Sequence, residues 1–141
     1  MAREFRKAMY RVARGLPDIE KYGLASQMRR AAVSLTNNIA EGHGRYHWLD
    51  QIKFMLQARG SLEELIDDLN VSEDEDYRIT ADIEKLKAAG WRVRQIIDGY
   101  IRYLRDRKAG ESLRVQEDSP GYFETDRDNL LDDDPLGNRY T

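Results

Sequence analysis

The sequence predicts an all-α protein, an up-down-up-down antiparallel four-helix bundle with an irregular acidic C-terminal tail. Three observations carry this prediction. Apolar residues recur at alternating steps of three and four in four separate segments, the pattern of helices packed at shallow angles. The breaks between these segments, at 15–21, 42–47 and 71–78, are short, which makes sequential helices antiparallel neighbours. The composition, 40% hydrophobic and 35% charged with three prolines, favours helix over strand. A chain of 141 residues suits one core.

The first segment places Phe5, Met9, Val12 and Leu16 on one stripe, and Gly15-Leu16-Pro17 ends it because proline disfavours helix in the residue before it. The second holds Leu24, Met28, Ala31, Leu35 and Ile39 or Asn38, and stops at Gly42-His43-Gly44. Gly42 stands where a C-terminal glycine belongs, and Gly44 is free to take a positive φ in the reversal. The third holds Trp48, Ile52, Met55, Arg59, Leu62, Ile66 and Leu69, widened by Leu56 and Leu65. The fourth runs through Ile79, Ile83, Leu86, Gly90, Val93, Ile97, Tyr100 and Leu104, flanked by Trp91, Ile96 and Ile101. Thr80 is its expected N-cap, with Asp82 in the first turn. After Lys108 the periodicity fails and Ala109-Gly110, Ser119-Pro120-Gly121 and Asp134-Pro135 read as breakers. The division expected is therefore a bundle over 1–108 and an acidic tail over 109–141.

The net charge of −3 averages two unlike parts. Residues 1–108 carry 20 Lys and Arg against 17 Asp and Glu, and residues 109–141 carry 3 against 9. A mildly basic body with an acidic tail points to a nucleic-acid or partner surface. The absence of cysteine excludes disulfides, thiolate zinc sites and a cysteine nucleophile. No apolar run approaches a membrane span, and the N-terminus has no continuous apolar stretch, so the expected location is the cytoplasm.

One motif is specific. YGLASQMRRAAVSLTNNIAEGHGR, over 22–45, is followed by FMLQARGSLEELIDDL, over 54–69. Together they resemble the four-helix-bundle proteins encoded in rRNA intervening sequences, with the other two helices agreeing in position, so that the resemblance spans 5–107. Thr36 stands where that family usually has proline, which implies a straighter second helix. The acidic tail lies outside the family pattern. The resemblance implies a bundle that forms a homo-oligomer, a pentamer by family habit. It extends to the accessory variability determinants of diversity-generating retroelements, which implies nucleic-acid binding beside a reverse transcriptase.

The residues themselves point away from catalysis. His43 and His47 are four apart, but the glycines between and beside them argue against one helical face, and no third histidine exists to complete a metal site. Gly42-His43-Gly44-Arg45 lacks the Lys-Ser/Thr of a phosphate loop and follows a helix rather than a strand. Glu63, Glu64, Asp67 and Asp68 read as a solvated face, because neither histidine sits in the motif that would make them a carboxylate-bridged metal centre. The expectation is a non-enzyme without metal or cofactor. Arg59 falls on the apolar stripe and must find a buried carboxylate, with Glu41 and Glu63 as candidates.

The candidate nucleic-acid-binding set is Arg3, Arg6, Lys7, Arg11 and Arg14 on the first helix, with Arg92, Arg94, Arg102, Arg105, Arg107 and Lys108 on the fourth. In an up-down bundle these two helices are neighbours, so their cations are expected to merge into one patch, with Tyr10, Tyr100 and Tyr103 beside it for stacking on RNA or DNA. Tyr122, Phe123, Leu130 and Leu131 are the expected partner-binding anchors of the tail. The competing expectation is a protein-interaction scaffold without nucleic-acid binding.

Overall fold

A computed structural model of the chain describes residues 1–77, 79 and 81–118, with side chains described as far as Glu111. Among the described residues the chain is all helical: α1 (Ala2–Gly15), a 3₁₀ turn (Asp18–Glu20), α2 (Leu24–His43), α3 (Trp48–Asp74) and α4 (Ile83–Asp118). Residues Met1–Lys108 form one compact unit.

The apolar stripes bury as their spacing requires. Phe5, Met9, Val12 and Leu16 of α1 meet Leu24, Met28, Ala31 and Leu35 of α2 in a core completed by Met55, Leu62, Leu65 and Leu69 of α3 and Val93, Ile97, Ile101 and Leu104 of α4. Rising positions on α2 meet falling positions on α3: the Ser61 hydroxyl donates to Ser34 Oγ at 2.9 Å, and Gly42 lies against Phe54 and Met55. On α3 and α4 the same order holds, with Trp48 by Arg107, Arg59 by Asp98, Glu63 by Arg94 and Glu73 by Lys87. Phe5 of α1 touches Gly90 of α4 so closely that a Cβ there would sit 3.2 Å from the Phe5 ring.

Local chemistry sets the helix ends. Leu16 takes an extended conformation before Pro17 and ends α1. Glu20 caps α2, its carboxylate accepting the Leu24 N–H at 2.8 Å and the Tyr77 hydroxyl at 2.9 Å, so the α1–α2 link is tied to the segment after α3. Both bonds stabilise the carboxylate and hold its pKa below the ordinary value. α3 closes with Asp76 at φ 56, in the left-handed region that ends many helices.

Four expectations change. Gly42 is inside α2, not its stop: a Cβ there would lie 2.7 Å from Met55 Cε and 3.1 Å from Phe54 Cβ, so the glycine serves close helix packing. Gly44, the residue after α2, has φ −79 and needs no positive φ. The cap of α4 is Asp82, whose carboxylate accepts the Lys85 N–H at 3.2 Å; Thr80 lies outside the described residues. Finally, α4 passes Lys108 and runs to Asp118. Ala109 continues a helix readily, and one glycine weakens it by only about 1 kcal/mol. The tail anchors Tyr122, Phe123, Leu130 and Leu131 lie outside the described residues.

Candidate nucleic-acid interface

The buried stripe of α1 turns its remaining faces outward, and the basic residues occupy them. Arg3, Lys7, Arg11 and Arg14 are exposed and Arg6 is half-buried. Steps of three and four from Lys7 to Arg11 to Arg14 keep these cations on one side of the helix. An open groove of about 450 Å³ lies there, lined by Arg6, Lys7, Tyr10, Arg11, Arg14 and Val33. Arg6 Nη1 donates to Thr36 Oγ1 at 3.0 Å, and the Thr36 hydroxyl bonds back to the Val33 carbonyl at 3.3 Å. Thr36 thus fixes one wall of the groove, and α2 runs unbroken through it. Lys7 pairs with exposed Glu4 at 3.8 Å, a weak contact in water. Among the described residues no carboxylate pairs with Arg11 or Arg14. The arrangement offers four cations and one aromatic ring in one open recess.

None of the α4 cations lines this groove, and those from Arg102 to Lys108 lie far along the helix from it. Twelve residues, about 18 Å of helix rise, separate Gly90, where α1 touches α4, from Arg102. Arg92, Arg102 and Arg107 are exposed, and Arg105 and Lys108 are half-buried. Burial without a hydrogen-bond partner pushes the Lys108 ammonium below its ordinary pKa. Arg107 donates to the Tyr103 hydroxyl at 2.9 Å and lies 5.0 Å over the Trp48 ring. The cations at the end of α4 therefore lie apart from the α1 groove, whereas exposed Arg92, two residues from Gly90, stands at the level of α1 without lining the groove.

Arg94 leaves the phosphate-facing set. It is buried, paired at 3.4 Å with both Glu63 and Asp98, and stacked 5.3 Å over Trp91. Arg59, 6% exposed, donates to Asp98 Oδ1 at 3.0 Å, so its partner is Asp98 of α4 and not Glu41 or Glu63. Glu41 pairs instead with exposed Arg45, one turn on. Asp98, four residues after Arg94, was legible as a helical neighbour of that arginine but not as the partner of Arg59, which requires knowing how α3 faces α4.

The acidic run of α3 is not a uniform solvated face. Glu64 and Asp67 are exposed, but Asp68 is 9% exposed and its Oδ2 makes no hydrogen bond. Burial first, then the charges of Glu64 and Asp67, push the Asp68 carboxyl up to about 6, against a smaller opposing effect of Arg30. Among the described residues no group of three or more His, Asp or Glu side chains is placed to hold a metal. His43, the last residue of α2, lies against Tyr100 with ring centroids 5.1 Å apart and planes tilted by 41°, whereas His47 precedes α3 and packs edge-on to Tyr46. Among the described residues no helix is long and apolar enough to cross a membrane.

The family model described as 23S rRNA-intervening sequence protein matches residues 1–99. That span holds the whole α1 groove and the residues of the motif over 22–69. No curated protein matches the chain.

Proposed function

We propose, for a chain that belongs to the 23S rRNA-intervening sequence protein family, a non-enzymatic, oligomeric four-helix bundle that binds RNA through the basic groove of α1. The observation that carries this reading is the recess itself: Arg6, Lys7, Arg11 and Arg14 converge around Tyr10, and among the described residues none of the three arginines has a carboxylate partner. Clustered cations neutralise phosphates, and an aromatic face beside them accepts a base. The family's name, which refers to an rRNA insertion, favours RNA over DNA.

The bundle is read as up-down-up-down, supported by the opposed numbering of contacts between α2 and α3 and between α3 and α4. Self-association is supported by Trp91 and Ile96, large side chains left exposed on α4. The pentameric ring and the role beside a reverse transcriptase of a diversity-generating retroelement rest on the resemblance of the sequence. The same exposed α4 residues favour the second reading, a protein-interaction scaffold without nucleic-acid binding. The absorbance ratio at 260 and 280 nm of the purified protein, taken before and after a high-salt wash, separates the two. Co-purifying RNA removed by salt supports the first reading; clean protein at low salt that also fails to bind added RNA supports the second. Light scattering on the washed protein tests assembly, and a monomer mass at micromolar concentration contradicts it.

A further inference from the structure

The far end of α4 carries an aromatic ladder that the core does not need. The Tyr100 and Tyr103 rings stack with centroids 5.9 Å apart and planes 20° apart, and His43 lies on Tyr100 at 5.1 Å. Tyr100 is fixed in place: its hydroxyl donates to Gln51 Oε1 at 3.2 Å, while buried Gln51 donates to the Arg45 carbonyl at 2.7 Å. Beyond Tyr103 stands Arg107, held between the Tyr103 and Trp48 rings at 5.6 and 5.0 Å and bonded to the Tyr103 hydroxyl.

Tyr103 is 48% exposed and Ile101 and Leu104 supply the core contacts of this turn, so packing does not account for the ring. Among the described residues Arg107 has no carboxylate partner. Its guanidinium is thus oriented by two rings and a hydroxyl, with charge uncompensated. A planar cation of this kind takes a phosphate through paired N–H groups, and the adjacent rings take a planar base. In a duplex, bases are stacked on each other and their faces are closed; only an unpaired nucleotide can present both groups together.

We infer that Tyr103, Arg107 and Trp48 form a seat for an unpaired nucleotide, base on ring and phosphate on guanidinium, which makes single-stranded nucleic acid the preferred ligand. This inference rests on the nucleic-acid reading above and adds a second contact about 20–25 Å along α4 from the level of Gly90. One strand bridging the groove and the seat would be read at both.

The test uses the full chain with oligo-uridine and with an RNA duplex of equal length, at low salt. A Trp91→Phe background leaves Trp48 as the sole tryptophan, so its emission reports a base arriving at the seat. Expected results are tighter binding of the single strand, quenching of Trp48, and a loss on the order of tenfold for Tyr103→Ala. Tyr103→Phe, which keeps the ring, should retain most of the affinity, and neither variant should shift the thermal midpoint appreciably. If duplex and single strand bind alike, with Trp48 emission unchanged and Tyr103→Ala silent, the seat is wrong while the groove reading survives. Binding of neither RNA overturns both. Loss of binding in Tyr103→Ala together with a collapsed thermal midpoint counts against the seat unless Tyr103→Phe restores both.

Discussion

Asp98 faces two arginines at once, one from α3 and one from its own helix. It accepts from Arg59 at 3.0 Å and faces Arg94 at 3.4 Å, and Arg94 in turn faces Glu63. Removing one partner of such a buried group strands the others in a medium that solvates them poorly. Asp98→Ala should therefore lower stability by about 2–4 kcal/mol in urea denaturation, discounted from the fully buried case because Asp98 is partly exposed. Arg45→Ala, which breaks only the exposed pair with Glu41, should stay within about 0.5 kcal/mol. Asp68 makes the opposite kind of statement. Its carboxyl is pushed up to about 6 by burial, so folding favours the protonated form. The unfolded chain holds its proton less tightly, and stability from this group is present at low pH and is lost as pH rises through about 6. Asp68→Asn should consequently be more stable than the parent at pH 7.5, by on the order of 1–2 kcal/mol, with the gap narrowing below about pH 6 and closing as pH falls toward about 4. A parent protein at least as stable as the variant at pH 7.5 contradicts this account of the site.

At the scale of elements, what was legible was periodicity. Steps of three and four located all four helices and most of the buried apolar residues, missing Ala13, Ala25 and Ala58, because burial on one face of a helix is written locally. The ends were less legible, since capping depends on which oxygen reaches a free N–H; Asp82 does so in α4, and Glu20 reaches forward to α2. Glycines were misread for the same reason. Gly42 permits close packing against Phe54 and Met55, whereas a Cβ on Gly60 meets nothing within 4 Å. The two should respond differently to alanine. Gly60→Ala should stabilise by about 0.5–1 kcal/mol through helix propensity. Gly42→Ala gains the same propensity but must displace Met55 and crowd Phe54 Cβ, and should destabilise by about 1 kcal/mol or more. Thermal or chemical denaturation of both variants checks the pair, and equal effects would remove the packing role of Gly42.

At the scale of the whole molecule, the sequence located the cations but not their grouping. Arg6, Lys7, Arg11 and Arg14 were recognisable on one helix, and the structure gathers them in one recess. Arg94 looked like its neighbours Arg92 and Arg102 because charge alone does not tell an outward arginine from one captured by Asp98 and Glu63. Thr36 was visible only as a departure from the usual proline, and its use as the acceptor for Arg6 emerges from the packing of α1 on α2. The central claim is that this recess binds the phosphate backbone of RNA. The most direct measurement is the affinity of the full chain for RNA across a salt series, beside an Arg6→Ala, Arg11→Ala, Arg14→Ala triple variant whose fold is checked by circular dichroism. Because each neutralised phosphate steepens the dependence of log K on log salt, the variant should bind more weakly, with a slope reduced by about 2–3. A parent protein that binds no RNA at low salt, or a folded variant with unchanged affinity and slope, contradicts the claim.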